Sequence, residues 1–363
     1  MKKKLGIIGI VLAVLSFGLV GWRIGGEIGS ANENAVLDVW KIVLFVVGLF
    51  AAFYLHIILH ELGHLVGGLK GGYEFVSFCV AGICFGKENG KIKVSIERHK
   101  DIGGFCKMLP PKDVTKESFL LHIKGGLAAS CILTIASFIA FILTYFLDKR
   151  GYFFMLFACS FPVNAFIFFN NAQVSAPNNT PTDGMLVDML KNNAPSGIAM
   201  MKVLTFQGYL TDGFRPCDIP ESVIADMPVV PDDDVMTPVI YSNLFVYYLD
   251  KADEKKIFYY GKKIEDILPY FGDVYRNDLL SSALLVSCFE DNAEKAGKYY
   301  KELEKCFDKA DSAMLLSKAY YEKLFLSEDV TELIGKIKEK AAGEPFRGVS
   351  QTTVKYANWL AKL

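Results

Sequence analysis

Long stretches in the first half of this 363-residue chain contain no charged residue. The uncharged runs cover residues 5–22, 42–60, 125–147 and 151–182. Each is close to or longer than the roughly 20 residues that cross a hydrocarbon core of about 30 Å. Hydrophobic residues make up 52% of the chain, and the mean hydropathy is +0.28. This composition argues against a wholly soluble globular protein.

The cysteine pattern excludes two further classes of protein. Eight cysteines are present, but they lie singly, without a CxxC pair or a repeated spacing. The chain therefore lacks the signature of a zinc ribbon or of a disulfide-rich secreted domain. Cys131 and Cys159 lie inside apolar runs, where cysteine acts as a small hydrophobic residue. We expect reduced thiols on the cytoplasmic side of a membrane.

These patterns predict an α-helical polytopic membrane protein with about four transmembrane helices. The first helix covers residues 1–25, and we expect it to be retained rather than cleaved as a signal peptide. A membrane core covers residues 36–195, with spans at about 40–62, 120–147 and 152–172. Each of these spans corresponds to one of the uncharged runs.

The distribution of basic residues predicts the orientation of the spans. Three lysines precede the first run, and nine basic residues lie in the loop 70–117, whereas none lies between Gly25 and Trp40. Cytoplasmic loops carry the excess of Lys and Arg. We therefore expect the N-terminus and the C-terminal domain in the cytoplasm. We also expect a multi-pass protein of a plasma membrane, of bacterial origin. Topology and anionic lipid account for the basic loop, and nothing indicates nucleic acid.

Outside the spans, the sequence predicts a small sheet and a soluble helical domain. Residues 73–78 and 91–96 have strand character, and we expect a membrane-associated β-hairpin over about 73–97. Residues 196–240 form a connector. Residues 241–363 form a cytoplasmic α-helical domain. Asp278 and Ser312 open similar segments 34 residues apart, a spacing typical of helical-hairpin repeats, but the side chains match the consensus of such repeats poorly. This domain is a candidate site for a cytoplasmic protein partner.

A histidine pair at the end of the second span carries the strongest chemical signal. Residues 60–64 are His-Glu-Leu-Gly-His. Side chains four residues apart share a helix face, so His60 and His64 can bind one zinc ion. Glu61 lies beside the first ligand, where a general base for a metal-bound water belongs. The sequence thus predicts one Zn²⁺ per chain at the cytoplasmic edge of the membrane.

A catalytic zinc ion usually has three protein ligands, and the two histidines supply only two of them. Asp183 is the best candidate, because it is the first charged residue after a long uncharged run. Asp212 repeats the local Thr-Asp-Gly pattern but follows no apolar span, so it is an alternative. His56 lies on the same helix face, and we expect it to form interhelical hydrogen bonds. His99 and His122 are expected at a surface or an interface.

Three segments in order resemble motifs of the site-2 protease family (M50) of intramembrane zinc metalloproteases. Residues 60–64 resemble its HExGH helix, and residues 103–109, Gly-Gly-Phe-Cys-Lys-Met-Leu, resemble its GGYxKM segment. Residues 178–184, Asn-Asn-Thr-Pro-Thr-Asp-Gly, resemble its distal Asn/Pro/Asp-Gly motif, with a shorter spacing between Pro and Asp. Gly125 to Ala128 resembles the small-residue start of the middle core span. The resemblance covers about residues 40–190.

The resemblance implies that His60, His64 and Asp183 bind zinc and that Glu61 activates the water. It also implies substrate-binding roles for Asn178, Gly103 and Gly104, with Asn170 and Asn171 as rivals for the position of Asn178. The implied activity is hydrolysis of peptide bonds in membrane-spanning or membrane-associated proteins or peptides. A catalytically inactive membrane scaffold of the same fold and a zinc-stabilised transporter or peptide-export accessory are the alternatives.

Overall fold

The structure, a computed structural model, describes residues 5–29, 39–88, 91–96, 103–177 and 180–363. They form two compact units. The first comprises the described parts of 1–108, 116–177 and 181–191, and the second comprises 109–115, Thr180 and 192–363.

Apolar helices dominate the first unit. Among the described residues, four segments are long and apolar enough to cross a membrane, which agrees with the predicted number: Leu5–Gly26, Val39–Lys70, Lys116–Leu147 and Tyr152–Ala172. They form the helices α1 (Leu5–Gly29), α2 (Val39–Lys70), α3 (Lys116–Leu147), α4 (Tyr152–Phe157) and α5 (Ser160–Ala172). A short helix, α6 (Asp183–Lys191), is the last helix of this unit.

The fourth apolar segment, Tyr152–Ala172, matches the span predicted over about 152–172, but it is not one continuous helix. It breaks between α4 and α5 at Ala158 and Cys159. Pro162 explains the break, because proline has no N–H to donate to the carbonyl of Ala158 and its ring crowds that carbonyl. The α-helical ladder resumes with the bond from the Val163 amide to the Cys159 carbonyl, at 3.1 Å.

Helices α2 and α3 form the most extensive helix pair in the first unit. Their backbones meet where Gly63 of α2 faces Gly125 of α3. A Cβ atom added at either glycine would overlap the carbonyl oxygen of the other. Glycine at both positions therefore permits an approach that lets side chains of the two helices form direct hydrogen bonds.

The loop between α2 and α3 folds into a four-stranded sheet rather than a two-stranded hairpin. The strands are β1 (Glu74–Val80), β2 (Ile83–Glu88), β3 (Lys91–Ile96) and β4 (Gly104–Leu109), in the order β3-β2-β1-β4. Ala81 and Gly82, both at positive φ, form the tight turn between β1 and β2. The predicted turn at residues 89–90 lies outside the described residues.

Two cysteines in this sheet depart from the prediction of reduced thiols. Cys79 of β1 lies directly opposite Cys84 of β2, and the two form a disulfide. Both side chains are buried. Disulfides persist in oxidising compartments. The pair therefore conflicts with the expectation that residues 70–117 face the cytoplasm.

The second unit is helical, and its helices pack mainly against their neighbours in sequence. Side-chain oxygens of Asp253, Asn292 and Asp311 cap three of the helices. Helix α7 occupies 195–211, the first part of the predicted connector, because its apolar side chains form a buried face. The helices are α7 (Pro195–Thr211), α8 (Glu221–Ile224), α9 (Thr237–Lys251), α10 (Glu254–Ile267), α11 (Asp273–Phe289), α12 (Ala293–Leu303), α13 (Ser312–Phe325), α14 (Thr331–Gly343) and α15 (Arg347–Leu360).

Candidate metal centre

His60 and His64 lie one turn apart on α2, and their imidazoles converge. The two Nε2 atoms are 3.1 Å apart. The His64 side chain is 9% exposed and that of His60 is 13% exposed. The face on which they lie points into the first unit towards α3. The i, i+4 spacing thus produces the paired donors that the sequence predicted.

Asp183 reaches the same point from the start of α6. Its Oδ2 lies 3.3 Å from His60 Nε2 and 3.2 Å from His64 Nε2. The turn before α6 is held by Thr182, whose amide and hydroxyl both donate to the Ser175 carbonyl at 3.0 Å. Gly184 follows, and a Cβ there would overlap the Ala172 carbonyl. The chain thus returns close to the end of α5, and this places the Asp183 carboxylate beside the two imidazoles.

The three donor atoms have the geometry of a metal site. All lie 3.1–3.3 Å from one another. Bonds of about 2.0–2.1 Å to a tetrahedral zinc ion would place ligand atoms about 3.3 Å apart. Two imidazoles and one carboxylate are also a donor set that zinc accepts, and they leave a fourth position. His60, His64 and Asp183 therefore form a group that could hold a metal ion.

His64 is oriented by the backbone of α3. Its Nδ1–H donates to the His122 carbonyl at 3.0 Å. A carbonyl can only accept, so Nδ1 carries the proton and Nε2 presents a lone pair to the site. His122 is half-buried at this interface and stacks on Tyr73, with 5.2 Å between ring centroids.

His60 is oriented by side chains instead. Its Nδ1 lies 2.9 Å from the hydroxyl of Ser130 on α3. The same hydroxyl lies 3.0 Å from Nε2 of His56, and His56 Nδ1 lies 2.9 Å from Asn164 Oδ1 on α5. His56 thus forms the interhelical hydrogen bonds expected from the sequence and is not part of the donor group.

Asn171, at the end of α5, contacts the candidate third ligand twice. Its Nδ2 donates to Asp183 Oδ2 at 2.9 Å, and its Oδ1 accepts from the Asp183 amide at 3.3 Å. Nδ2 also lies 3.0 Å from His60 Nε2. Of the asparagines considered from the sequence, Asn171 therefore lies in the site. Asn170 bonds instead to the Phe166 carbonyl, and Asn178 lies outside the described residues.

Glu61 lies next to the donor group and against strand β4. Its carboxylate interacts electrostatically with His64 and Asp183 and accepts a backbone hydrogen bond from Cys106. Burial, with the nearby Glu61 carboxylate adding to it, raises the pKa of the Cys106 thiol to about 12. This thiol is therefore protonated at neutral pH.

Gly103, just before β4, and Gly104, its first residue, lie against α2. A Cβ at Gly104 would fall within 3 Å of Ile57 and of the Cys79 carbonyl, and one at Gly103 would also meet Ile57. The Gly103 carbonyl accepts from the Ala81 amide at 3.1 Å. Both glycines thus permit close packing of β4 on the helix that carries Glu61. Their predicted contact with substrate stays a prediction.

Asp212, the alternative third ligand, belongs to the second unit. It follows the last residue of α7, and its amide donates to the Gly208 carbonyl at 3.1 Å. His99 lies outside the described residues. Sequence reasoning did not single out Ser130 or Asn164, although each is a polar residue inside a long uncharged run. A polar side chain within an apolar run was the signal that could have identified both residues.

Comparison of the chain with protein-family models, with curated proteins and with solved structures finds no match. The functional argument therefore depends on the site itself.

Proposed function

We propose that this protein is a zinc metalloendopeptidase of the site-2 protease type, which hydrolyses peptide bonds of membrane-spanning or membrane-associated substrates. The observation that carries the proposal is the convergence of His60, His64 and Asp183 beside Glu61. Their donor atoms are spaced for a tetrahedral ion, and the site lies on a helix apolar enough to cross a membrane. The order of the three sequence motifs supports the same assignment.

Zinc in this site would activate a water molecule and polarise the scissile carbonyl. The protein supplies the proton transfers. Glu61 is adjacent in sequence to a ligand, and its carboxylate interacts with His64 and Asp183. It takes a proton from the attacking water and then donates it to the leaving amine. The hydrogen bond from the Cys106 backbone holds this carboxylate against β4.

The sheet suggests how a substrate reaches Glu61. β4 is an edge strand in the order β3-β2-β1-β4, and its residue Cys106 contacts Glu61. A peptide inside a helix has its amides hydrogen-bonded and must become extended before hydrolysis. An extended segment added beside β4 would run past Glu61. The substrate is therefore a membrane protein or peptide that unwinds locally at the bilayer edge.

The test combines metal analysis with a search for cleavage products. Wild type and Glu61→Gln are purified in detergent for zinc quantification, and both are expressed in cells for mass spectrometry of new protein N-termini. We expect one zinc per chain in both, and new N-termini in or beside membrane spans only with the wild type. Identical N-termini in the two would refute the mechanism, and zinc without any cleavage would support the inactive scaffold.

A further inference from the structure

A buried chain of hydrogen bonds runs from His60 through three helices. It links His60 of α2, Ser130 of α3, His56 of α2 and Asn164 of α5, with separations of 2.9, 3.0 and 2.9 Å. His56 is 1% exposed, Ser130 0% and Asn164 2%. Apolar side chains could fill this space without the cost of desolvating polar groups.

The chemistry of the donors and acceptors gives the chain a direction. If His60 Nε2 presents a lone pair to a metal, the single proton of the neutral ring is on Nδ1, which donates to the Ser130 hydroxyl. The Ser130 hydroxyl then donates to His56 Nε2. His56 must therefore carry its proton on Nδ1, and this N–H donates to Asn164 Oδ1, which can only accept.

The end of the chain is tied to the helix that precedes the third ligand. Asn164 and Asn171 are seven residues apart on α5, so they lie two turns apart on the same face. Asn171 contacts Asp183, while Asn164 terminates the chain that begins at His60. The orientation of one ligand and the placement of another thus depend on the same helix.

We propose that Ser130 and His56 are positioning residues, which fix the His60 tautomer and aim its Nε2 at the metal. This inference rests on the proposed zinc site. Neither side chain contacts the position that a metal would occupy between the three donor atoms. Both act through the His60 ring. The backbone carbonyl of Gly126 is a second acceptor for that ring, so losing Ser130 weakens the orientation without abolishing it.

The test is zinc affinity, measured by chelator competition on the full-length protein in detergent, with Co²⁺ absorption as a report of ligand geometry. Loss of a partner behind a metal-bound histidine typically weakens affinity about 10–100-fold. We expect Ser130→Ala to lie near the lower end of that range, about tenfold, and to alter the Co²⁺ spectrum. Ser137→Ala is the matched control, because Ser137 is also buried on α3 but bonds only the Thr134 carbonyl. It should stay within about twofold of the wild type.

Two substitutions of His56 test whether the chain extends beyond Ser130. His56→Phe keeps a ring but removes the acceptor for the Ser130 hydroxyl, and should weaken zinc binding by several-fold. His56→Gln keeps an acceptor near the former Nε2 and should restore most of the affinity. If both variants bind zinc as the wild type does, His56 only fills space and the proposal fails.

The outcomes separate this inference from the proposed function. A wild type that binds no zinc would refute both. If the wild type binds zinc, Asp183→Ala does not, and Ser130→Ala binds it as the wild type does, the positioning role alone is refuted. Nitrogen NMR of ¹⁵N-histidine-labelled wild type needs no variant: we expect His56 to carry its proton on Nδ1, and a proton on Nε2 would overturn the proposal.

Discussion

His64 and His122 exchange a reciprocal pair of hydrogen bonds between α2 and α3. The Nδ1–H of each ring donates to the backbone carbonyl of the other residue, and both distances are 3.0 Å. The backbone carbonyl of His122 orients the His64 ring, whereas the His122 side chain donates a hydrogen bond to the backbone of α2. The two functions of residue 122 can therefore be separated by mutation.

His122→Phe should reduce stability more than metal affinity. It keeps an aromatic ring to stack on Tyr73 and keeps the carbonyl that accepts from His64. One interhelical hydrogen bond is lost, which typically costs about 1 kcal/mol. Thermal unfolding of the purified protein should shift downwards, while zinc affinity falls less than it does for Ser130→Ala. A loss of zinc as complete as in His64→Ala would contradict this separation.

Gly63→Ala should separate α2 from α3 and disturb the site. The added Cβ would overlap the Gly125 carbonyl, and forcing extra carbon into a packed interface typically costs about 1–3 kcal/mol. Gly18→Ala on α1 is the matched control, since a Cβ there meets no atom within 4 Å. We expect lower thermal stability and weaker zinc binding only for Gly63→Ala. Equal behaviour of the two variants would show that the close approach is not required.

Metal removal should destabilise the wild type but not a variant that lacks the third ligand. A ligand at 100 times its dissociation constant stabilises the folded state by about 2.7 kcal/mol. A chelator should therefore lower the unfolding temperature of the wild type. Asp183→Ala should show no such shift, whereas Asp212→Ala should respond as the wild type does. The opposite pattern would identify Asp212 as the ligand.

The second unit should lose stability in acid through Asp250. Its side chain is fully buried and accepts hydrogen bonds from Arg215 at 2.6 Å and from the Cys217 amide at 3.1 Å. Burial by itself would raise the pKa of Asp250, but these bonds outweigh it and hold the pKa below its ordinary value of 3.8. A lowered folded-state pKa gives stability that is present above the ordinary value and lost as the pH falls through the folded value.

Thermal unfolding of the full chain between pH 3 and 6 would test this. The wild type should lose stability mainly below about pH 4. Asp250→Asn should be less stable at pH 6 and should lose less on acidification. Asp266→Asn is the control, because that carboxylate forms only an exposed pair with Lys262. An unchanged acid profile in Asp250→Asn would contradict the assignment.

The sheet shows where sequence reasoning was incomplete. Strand β2 was missed because the turn before it is Ala81-Gly82, which lacks the Asn-Gly or Asp-Gly signal of a tight hairpin. Strand β4 was missed because it pairs with β1 and not with β3, its neighbour in sequence. Such pairing depends on the whole sheet. The pairing of β1 with β2 places Cys79 opposite Cys84, which the single, scattered cysteines of the sequence did not suggest.

The sequence by itself determined the apolar helices and the His60–His64 pair, because hydrophobicity and an i, i+4 spacing act within one helix. It also singled out Asp183, because a charge after a long uncharged run stands out. Tertiary structure alone decided that Asn171 contacts Asp183 and that Ser130, His56 and Asn164 stand behind His60. Those contacts join residues up to 108 positions apart, and they exist only where three helices cross closely enough for short polar side chains to meet.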